Sequence, residues 1–369
     1  MEYDVLIVGC GPVGCVLAER FAKIANKKVL VIDKRSHIAG NCYDEKHESG
    51  VLIHKYGPHY FRTNDENLVK YLSDFTEWIE GNYYVTSEFK EESYPFPINK
   101  LTINKFFKKE FKEESEAKEF IENLRLKIDN PKNSEEFVLS RVGKELYEAF
   151  YLGYTLKQWN LHPKDLGPSV CGRIPVRYNE DCRYVDHQFQ LTPKHGFTNL
   201  FNNMLNHENI DKKLETDFRE LTNIKFKTII YTGAIDEYFN YKYGKLKWRS
   251  LNFIFKTYNQ EFKQPNVQIN YSNNFEYTRT VEIKHITKQK IDKTVVSYEY
   301  PTDEGDPYYP IPNTLNEKMY QKYKLLAELE TIKNNVHFCG RLAEYKYYNT
   351  DEVILKALEL FEKIQKNDK

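Results

Sequence analysis

The first 33 residues constrain this chain more than any other stretch. The apolar run Tyr3-Asp4-Val5-Leu6-Ile7-Val8 leads into the turn Gly9-Cys10-Gly11-Pro12-Val13-Gly14. A helical stripe of Val13, Val16, Leu17, Phe21 and Ile24 follows, and then a second apolar run, Val29 to Ile32, that ends in Asp33. Strand, glycine-rich turn, helix and second strand with a terminal carboxylate describe one βαβ unit that holds a dinucleotide. Gly9 permits the tight turn, Gly11 lets the backbone approach the pyrophosphate, and Gly14 lets the helix pack closely on the strand. The pyrophosphate then sits at the helix N-terminus, beside Pro12 and Val13. Asp33, with Lys34 after it, stands where a carboxylate accepts hydrogen bonds from both ribose hydroxyls of the adenosine.

The rest of the chain says what surrounds that unit. At 369 residues it can bury a large core, and its length predicts two or three domains. Lysine plus arginine equals aspartate plus glutamate, 54 each, so no global field favours nucleic acid or an anionic membrane, and a polyanionic substrate needs a local basic cluster. The six cysteines make no CxxC pair and no metal spacing with histidine, which predicts reduced thiols in a cytoplasmic protein, with Cys10 and Cys15 filling small positions around the turn. No apolar run approaches the roughly 20 residues of a membrane helix, and the first strand begins at the N-terminus, so neither a membrane span nor a signal peptide is expected. The 29 tyrosines offer apolar rings with neutral donors, suited to phosphates and sugars, although any one of them can equally be structural.

Along the chain, Ser36 to Gly50 reads as a loop in which Gly40-Asn41 continues the cofactor cradle. Phe106, Phe107, Phe111, Ala117, Phe120, Ile121 and Leu124 are helically spaced among lysines and glutamates, which predicts an inserted helical domain with solvated charged faces. Alternation in Arg173 to Phe189 and in Leu251 to Tyr300 predicts an antiparallel sheet. The runs Lys227 to Gly233 and Val336 to Arg341 look like further strands of the first sheet. The expected fold class is therefore α/β: a discontinuous Rossmann-like FAD domain (1–77, 192–245 and 311–369), a helical insertion (78–150) followed by a mobile loop, and an antiparallel sheet domain (151–191 and 246–310). A last strand ending in Gly340-Arg341 before a final helix can meet the second part of an extended cofactor, which favours FAD over NAD.

Four arginines lie among polar and aromatic residues: Arg173, Arg177, Arg279 and Arg341. Singly each reads as a structural ion pair; two from different segments could clamp a diphosphate that is not the cofactor's own. There is no GxSxG elbow, no HExxH, no defensible Cys-His pair and no Walker lysine. The turn at Gly57-Pro58 could aim His59 and Arg62 at the cofactor.

The segments VGCGPVG, HIAGNCYD, IHKYGPHYF, GKELYEAFYLGYTLKQW, RIPVRY, YTR, YEYP, DPYYPI and GRLAEYKYY together resemble the bacterial UDP-galactopyranose mutase family, from the first strand to the last helix. GYTLKQW followed by RIPVR is far more specific than the glycine turn. The resemblance implies a ring contraction of a nucleotide sugar without net redox change. Reduced FAD N5 attacks the anomeric carbon and displaces the nucleoside diphosphate; the sugar opens, recloses through its 4-hydroxyl, and is recaptured as a furanose. By the same resemblance Arg173 and Arg279 match diphosphate-binding arginines, and Tyr184, Tyr309 and Tyr347 match phosphate-binding tyrosines. Phe150 and Tyr154 match nucleobase contacts, Trp159 a mobile-loop residue beside the sugar, and Glu299 an active-site carboxylate. His59 and Arg341 match positions beside the flavin; Asn41 and Tyr348 are expected to complete the cofactor site, and His59 to share in catalysis with Arg173 and Arg279.

Three positions depart from the family's pattern: Arg62 replaces a histidine near the sugar, Gly172 a lysine, and Asn349 an aspartate, although Asn349 with Glu352 can still cap a helix. These changes leave the hexose open between UDP-galactopyranose, dTDP-fucopyranose and UDP-N-acetylgalactosamine, with Arg62 among the substrate contacts. A homodimer, and a product destined for surface polysaccharide of the O-antigen type, are further implications of the resemblance. The competing readings are a FAD-dependent oxidoreductase of a small polar substrate and a noncatalytic nucleotide-sugar binder.

Overall fold

A computed structural model describes residues 3–172, 174–221 and 226–367. Strand β1 (Val5–Val8) and strand β2 (Val29–Ile32) are almost wholly buried, as expected of a parallel sheet covered on both faces. Helix α1 (Pro12–Lys23) joins them and buries Val13, Val16, Leu17 and Phe21. Three more parallel strands complete this sheet, in the order Ile210–Lys213, β2, β1, Thr228–Tyr231, Val336–Phe338. The last helix, Thr350–Asn367, packs on α1, with Phe361 edge-on to Phe21 at 5.2 Å between ring centroids. The dinucleotide domain is thus assembled from both ends of the chain, and three strands return to it from beyond residue 200.

Helices cover much of 100–159: Lys100–Phe107, Glu114–Leu124, Ser134–Val142 and Gly153–Trp159, with a π-helical turn at Glu148–Leu152. Two sequence expectations need correction. Val85–Phe89 and Glu92–Phe96, placed within the helical insertion, form a hairpin at the edge of a seven-stranded sheet. The strands of 246–310 pair antiparallel with one another as expected, and Gln268–Tyr271 in addition lies parallel to Val85–Phe89. Charged residues at Glu88, Lys90, Glu91 and Glu92 mask the hairpin's alternation on an exposed edge. The segment 174–188 carries no strand beyond a single bridge between Tyr84 and Arg183. Its polar groups are met by side chains instead: the buried Arg177 guanidinium donates to the Arg183 carbonyl and to Asp186. Arg177 is therefore a structural ion pair.

All six cysteines are free thiols, and Cys10 and Cys15 are fully buried. Among the described residues no cluster of acidic, histidine or cysteine side chains could hold a metal ion, and no helix is long and apolar enough to cross a membrane.

Candidate active site

The glycine turn closes tightly. Gly9 has φ +106°, and a Cβ added there would stand 2.0 Å from the Thr232 hydroxyl; one on Gly14 would stand 1.9 Å from the Gly9 carbonyl oxygen. At Gly11 the nearest neighbour of an added Cβ is Gly40 Cα at 3.7 Å, an ordinary contact. The chain itself does not require glycine at 11. Gly11 caps α1, whose first turn holds Pro12 and no acidic side chain, so the helix presents unpaired N–H groups to an anion.

Asp33 accepts from Cys10 N at 2.7 Å and from Arg35 N at 2.8 Å, one bond to each oxygen, which leaves lone pairs on both. A cavity of about 1320 Å³ runs from Gly9, Gly11 and Asp33 past Gly40 and Asn41 to His59, Arg341 and Tyr348, with Trp159 also on its wall. Lys34 is on the wall too, 3.4 Å from Glu237, and Asn41 accepts from Arg35 at 2.9 Å. Sequence reasoning missed part of this wall: Thr216 to Arg219, Thr232 to Ala234, and Trp248. The glycine closing the buried strand Thr228–Tyr231 was the available signal for the second of these.

At the inner end, Arg341 donates to the carbonyls of Tyr348 (2.8 Å) and Tyr308 (3.2 Å) and lies 4.6 Å over the Tyr347 ring. His59 Nδ1 is 2.9 Å from the Gly57 carbonyl, so this nitrogen carries the proton and Nε2 is left as an acceptor. The backbone N–H of His59 donates to His54 Nδ1 at 3.0 Å. Burial pushes the pKa of both histidines down to about 3, and both rings are neutral at pH 7.

This neutrality has a measurable consequence for stability. Between pH 3 and 6.5 the unfolded chain binds a proton at His54 and the folded chain does not, so stability falls as pH drops through that range. One such site changes stability by about 1.4 kcal/mol per pH unit within it. Denaturant midpoints at pH 7.5, 6 and 5 should decline, and His54→Asn should flatten the decline; an unchanged slope would show that His54 titrates normally in the fold.

Behind the cavity stands an aromatic and ionic cluster. Arg279 Nε donates to Glu299 at 2.6 Å and Nη2 to the Tyr309 hydroxyl at 3.2 Å. Burial works against the Arg279 charge, but Glu299 and the phenols of Tyr309, Tyr154 and Tyr83 outweigh it and raise its pKa. Burial raises the pKa of Glu299, which is fully inaccessible and among the described residues has no partner at Oε1; Arg279 partly offsets that rise. Tyr309 stacks with Tyr347 at 5.9 Å and lies 6.0 Å from Trp159, which links the cluster to Arg341 and the cavity wall. On the other side Tyr60 stacks on Tyr83 at 4.5 Å, and Tyr83 lies 6.0 Å from Tyr184. Nothing in the sequence announced the Tyr60–Tyr83 pair.

Two of the three departures meet in space. Arg62 Nη2 donates to Asn349 Oδ1 at 2.7 Å and Nη1 to the Tyr60 hydroxyl at 2.9 Å. An amide in place of a carboxylate leaves the Arg62 charge without a counterion in this bond. Glu352 accepts from Asn349 N at 2.7 Å, so the helix cap forms. Phe150 lies one turn from Tyr154, but its ring packs among Phe89, Tyr94 and Phe106 rather than in the Arg279 cluster. Arg173 lies outside the described residues.

A family model described as UDP-galactopyranose mutase matches residues 149–347, and one described as NAD(P)-binding Rossmann-like domain matches residues 7–75. A Klebsiella pneumoniae protein named "Probable UDP-galactopyranose mutase" is 36% identical, over 96% of this chain and 93% of its own. An Escherichia coli dTDP-fucopyranose mutase is 35% identical over 99% of both chains. Among solved structures, a reduced UDP-galactopyranose mutase superposes with a TM-score of 0.81, covering 99% of this chain and 94% of that one; at 13% identity it speaks for the fold.

Proposed function

The chain belongs to the UDP-galactopyranose mutase family, an isomerase of the UDP-galactose or dTDP-fucose type, and on that footing we propose that it works with FAD as its cofactor. Its reaction would interconvert the pyranose and furanose forms of a nucleotide-linked galacto-configured sugar, supplying furanose to a surface polysaccharide. The observation that carries this reading is the position of Arg279. A charged guanidinium, braced by Glu299 and Tyr309, stands behind a dinucleotide cavity and is joined to it through Tyr347 and Arg341.

The residues fit FAD. Gly11 has room at its Cα that the fold does not use, α1 presents free N–H groups, Asp33 keeps lone pairs for ribose hydroxyls, and the cavity continues to His59 and Arg341. When bound and reduced, FAD supplies a nucleophilic nitrogen for the anomeric carbon and makes the nucleoside diphosphate the leaving group. The protein's share is retention. Arg279, with hydroxyls from Tyr309, Tyr347 and Tyr184, would hold the departed diphosphate within reach for recapture, which replaces a bimolecular return by an intramolecular one. Glu299 offsets the charge of Arg279, so the clamp carries less than a full positive charge. Neutral His59, its Nε2 an acceptor, orients a polar group at the cavity wall without adding positive charge. Arg62, which among the described residues forms no ion pair within 4 Å and is drawn only at longer range to Asp351, is proposed as the residue that reads the sugar.

Dithionite-reduced enzyme should convert UDP-galactopyranose or dTDP-fucopyranose to the furanose, detected by chromatography, with no NAD(P)H consumed during turnover. Conversion of neither, or of UDP-N-acetylgalactosamine alone, would overturn the assignment of type. Stoichiometric substrate oxidation would establish a redox enzyme instead.

A further inference from the structure

The π-helical turn Glu148–Leu152 and the helix after it, Gly153–Trp159, are fastened to the turn between the strands Gln268–Tyr271 and Arg279–Val281. A π-helical turn widens the backbone and frees carbonyls from the i→i−4 ladder. Two carbonyls of this one are met from outside: Ala149 O by the Asn273 amide at 3.2 Å and Phe150 O by the Ser272 hydroxyl at 3.1 Å. Contact is so close at Gly153 that an added Cβ would stand 2.2 Å from the Ser272 carbonyl oxygen.

The third fastening is a cation. Lys157 Nζ donates to the carbonyl of Tyr271 and lies 3.1, 3.2 and 3.1 Å from those of Asn274, Phe275 and Tyr277. Four carbonyl oxygens drawn to one point repel each other unless a positive charge sits among them. The turn also holds Phe275 at φ +64°, which a non-glycine residue adopts only when its surroundings enforce it. Burial lowers the Lys157 pKa to about 8, as expected of an ammonium whose neighbours are dipoles rather than carboxylates. The residue after the buried Thr278 is Arg279, and Thr278 itself bonds to Gln158 at 3.2 Å.

We infer that Lys157 is a positioning residue: its ammonium clasps the 271–278 turn to the Gly153–Trp159 helix and so fixes Arg279 relative to Tyr154 and Trp159. The inference rests on the reading of Arg279 as a diphosphate clamp, but the clasp itself can be tested without turnover. Among the described residues the Lys157 ammonium bonds to the turn carbonyls and to no proposed site residue, so its substitution acts through the turn.

In Lys157→Met, with the stem kept and the charge removed, amide exchange measured by mass spectrometry on FAD-loaded protein should accelerate in peptides covering 271–279 and stay unchanged in α1. UDP binding should weaken by about tenfold and kcat/KM fall by at least as much, within the range known for coupling through an intermediate element, while FAD content stays normal. Lys157→Gln, which keeps two donors, should fall between Met and wild type; if the Met variant does not fold, the Gln variant is compared with wild type by the same measurements. Unchanged exchange at 271–279 overturns the clasp. Faster exchange there with UDP binding within twofold of wild type overturns the link to Arg279. If wild-type enzyme converts no nucleotide sugar, the functional reading fails, while the exchange result still decides the clasp.

Discussion

Arg279→Ala is expected to lower kcat/KM about 10³-fold in reduced enzyme that still carries a full complement of FAD, the loss typical of one preorganised donor removed from developing negative charge. The variant removes a guanidinium that is 17% exposed and bonded to a carboxylate and a phenol. Among the described residues it also leaves Glu299 buried with neither oxygen paired, since Oε1 has no partner there and Oε2 is met by Arg279. Breaking a buried pair from one side costs about 3–5 kcal/mol, and the residual exposure of Arg279 places this case at the lower end. Arg279→Ala/Glu299→Gln should therefore recover stability without recovering activity. Arg279→Lys, which keeps the charge but not the planar fork, should sit between wild type and alanine. Furanose formation by chromatography, flavin absorbance per protein, and Tm separate these effects. Activity of Arg279→Ala within tenfold of wild type would remove Arg279 from the clamp.

The parts of this molecule that were legible in its sequence are those where one local rule dominates. The βαβ start was readable because turn chemistry, helical stripe and strand burial agree within 33 residues, and the return of Thr228–Tyr231 and Val336–Phe338 because buried parallel strands are continuous apolar runs. The hairpin 85–96 was not readable, because its pattern is written on an edge where charge is tolerated. The segment 174–188 misled for the opposite reason: it alternates, yet Arg177 satisfies its carbonyls from the side. In the site, motif resemblance named Arg279, Glu299 and Tyr309 separately. Their mutual bonds depend on the register of Arg279–Val281 against Thr294–Thr302, which pairs Arg279 with Glu299 and exists only in the folded sheet. The contact between Arg62 and Asn349, 287 residues apart, was equally out of reach.

Two alanine variants in the glycine turn should part company, and their contrast tests where the cofactor lies. Gly14→Ala puts a methyl 1.9 Å from the Gly9 carbonyl oxygen and 3.2 Å from Ile7, so α1 must move off β1. Overpacking against backbone costs about 3 kcal/mol, and apoprotein and holoprotein should lose stability alike. Gly11→Ala meets only Gly40 Cα at 3.7 Å, and Gly11 has φ −80° and ψ −173°, an extended conformation open to any residue. Alanine is the poorer N-cap, by up to about 1 kcal/mol, but it also narrows the unfolded ensemble, worth about 0.4–1 kcal/mol, and the two nearly cancel. The Gly11→Ala apoprotein should thus melt with wild type, while its Kd for FAD, followed by quenching of flavin fluorescence on reconstitution, rises by about 10–100-fold as the new methyl meets the pyrophosphate. A Gly11→Ala protein that binds FAD as wild type does would mean that the pyrophosphate does not approach this backbone, and the assignment of the cavity would fall with it.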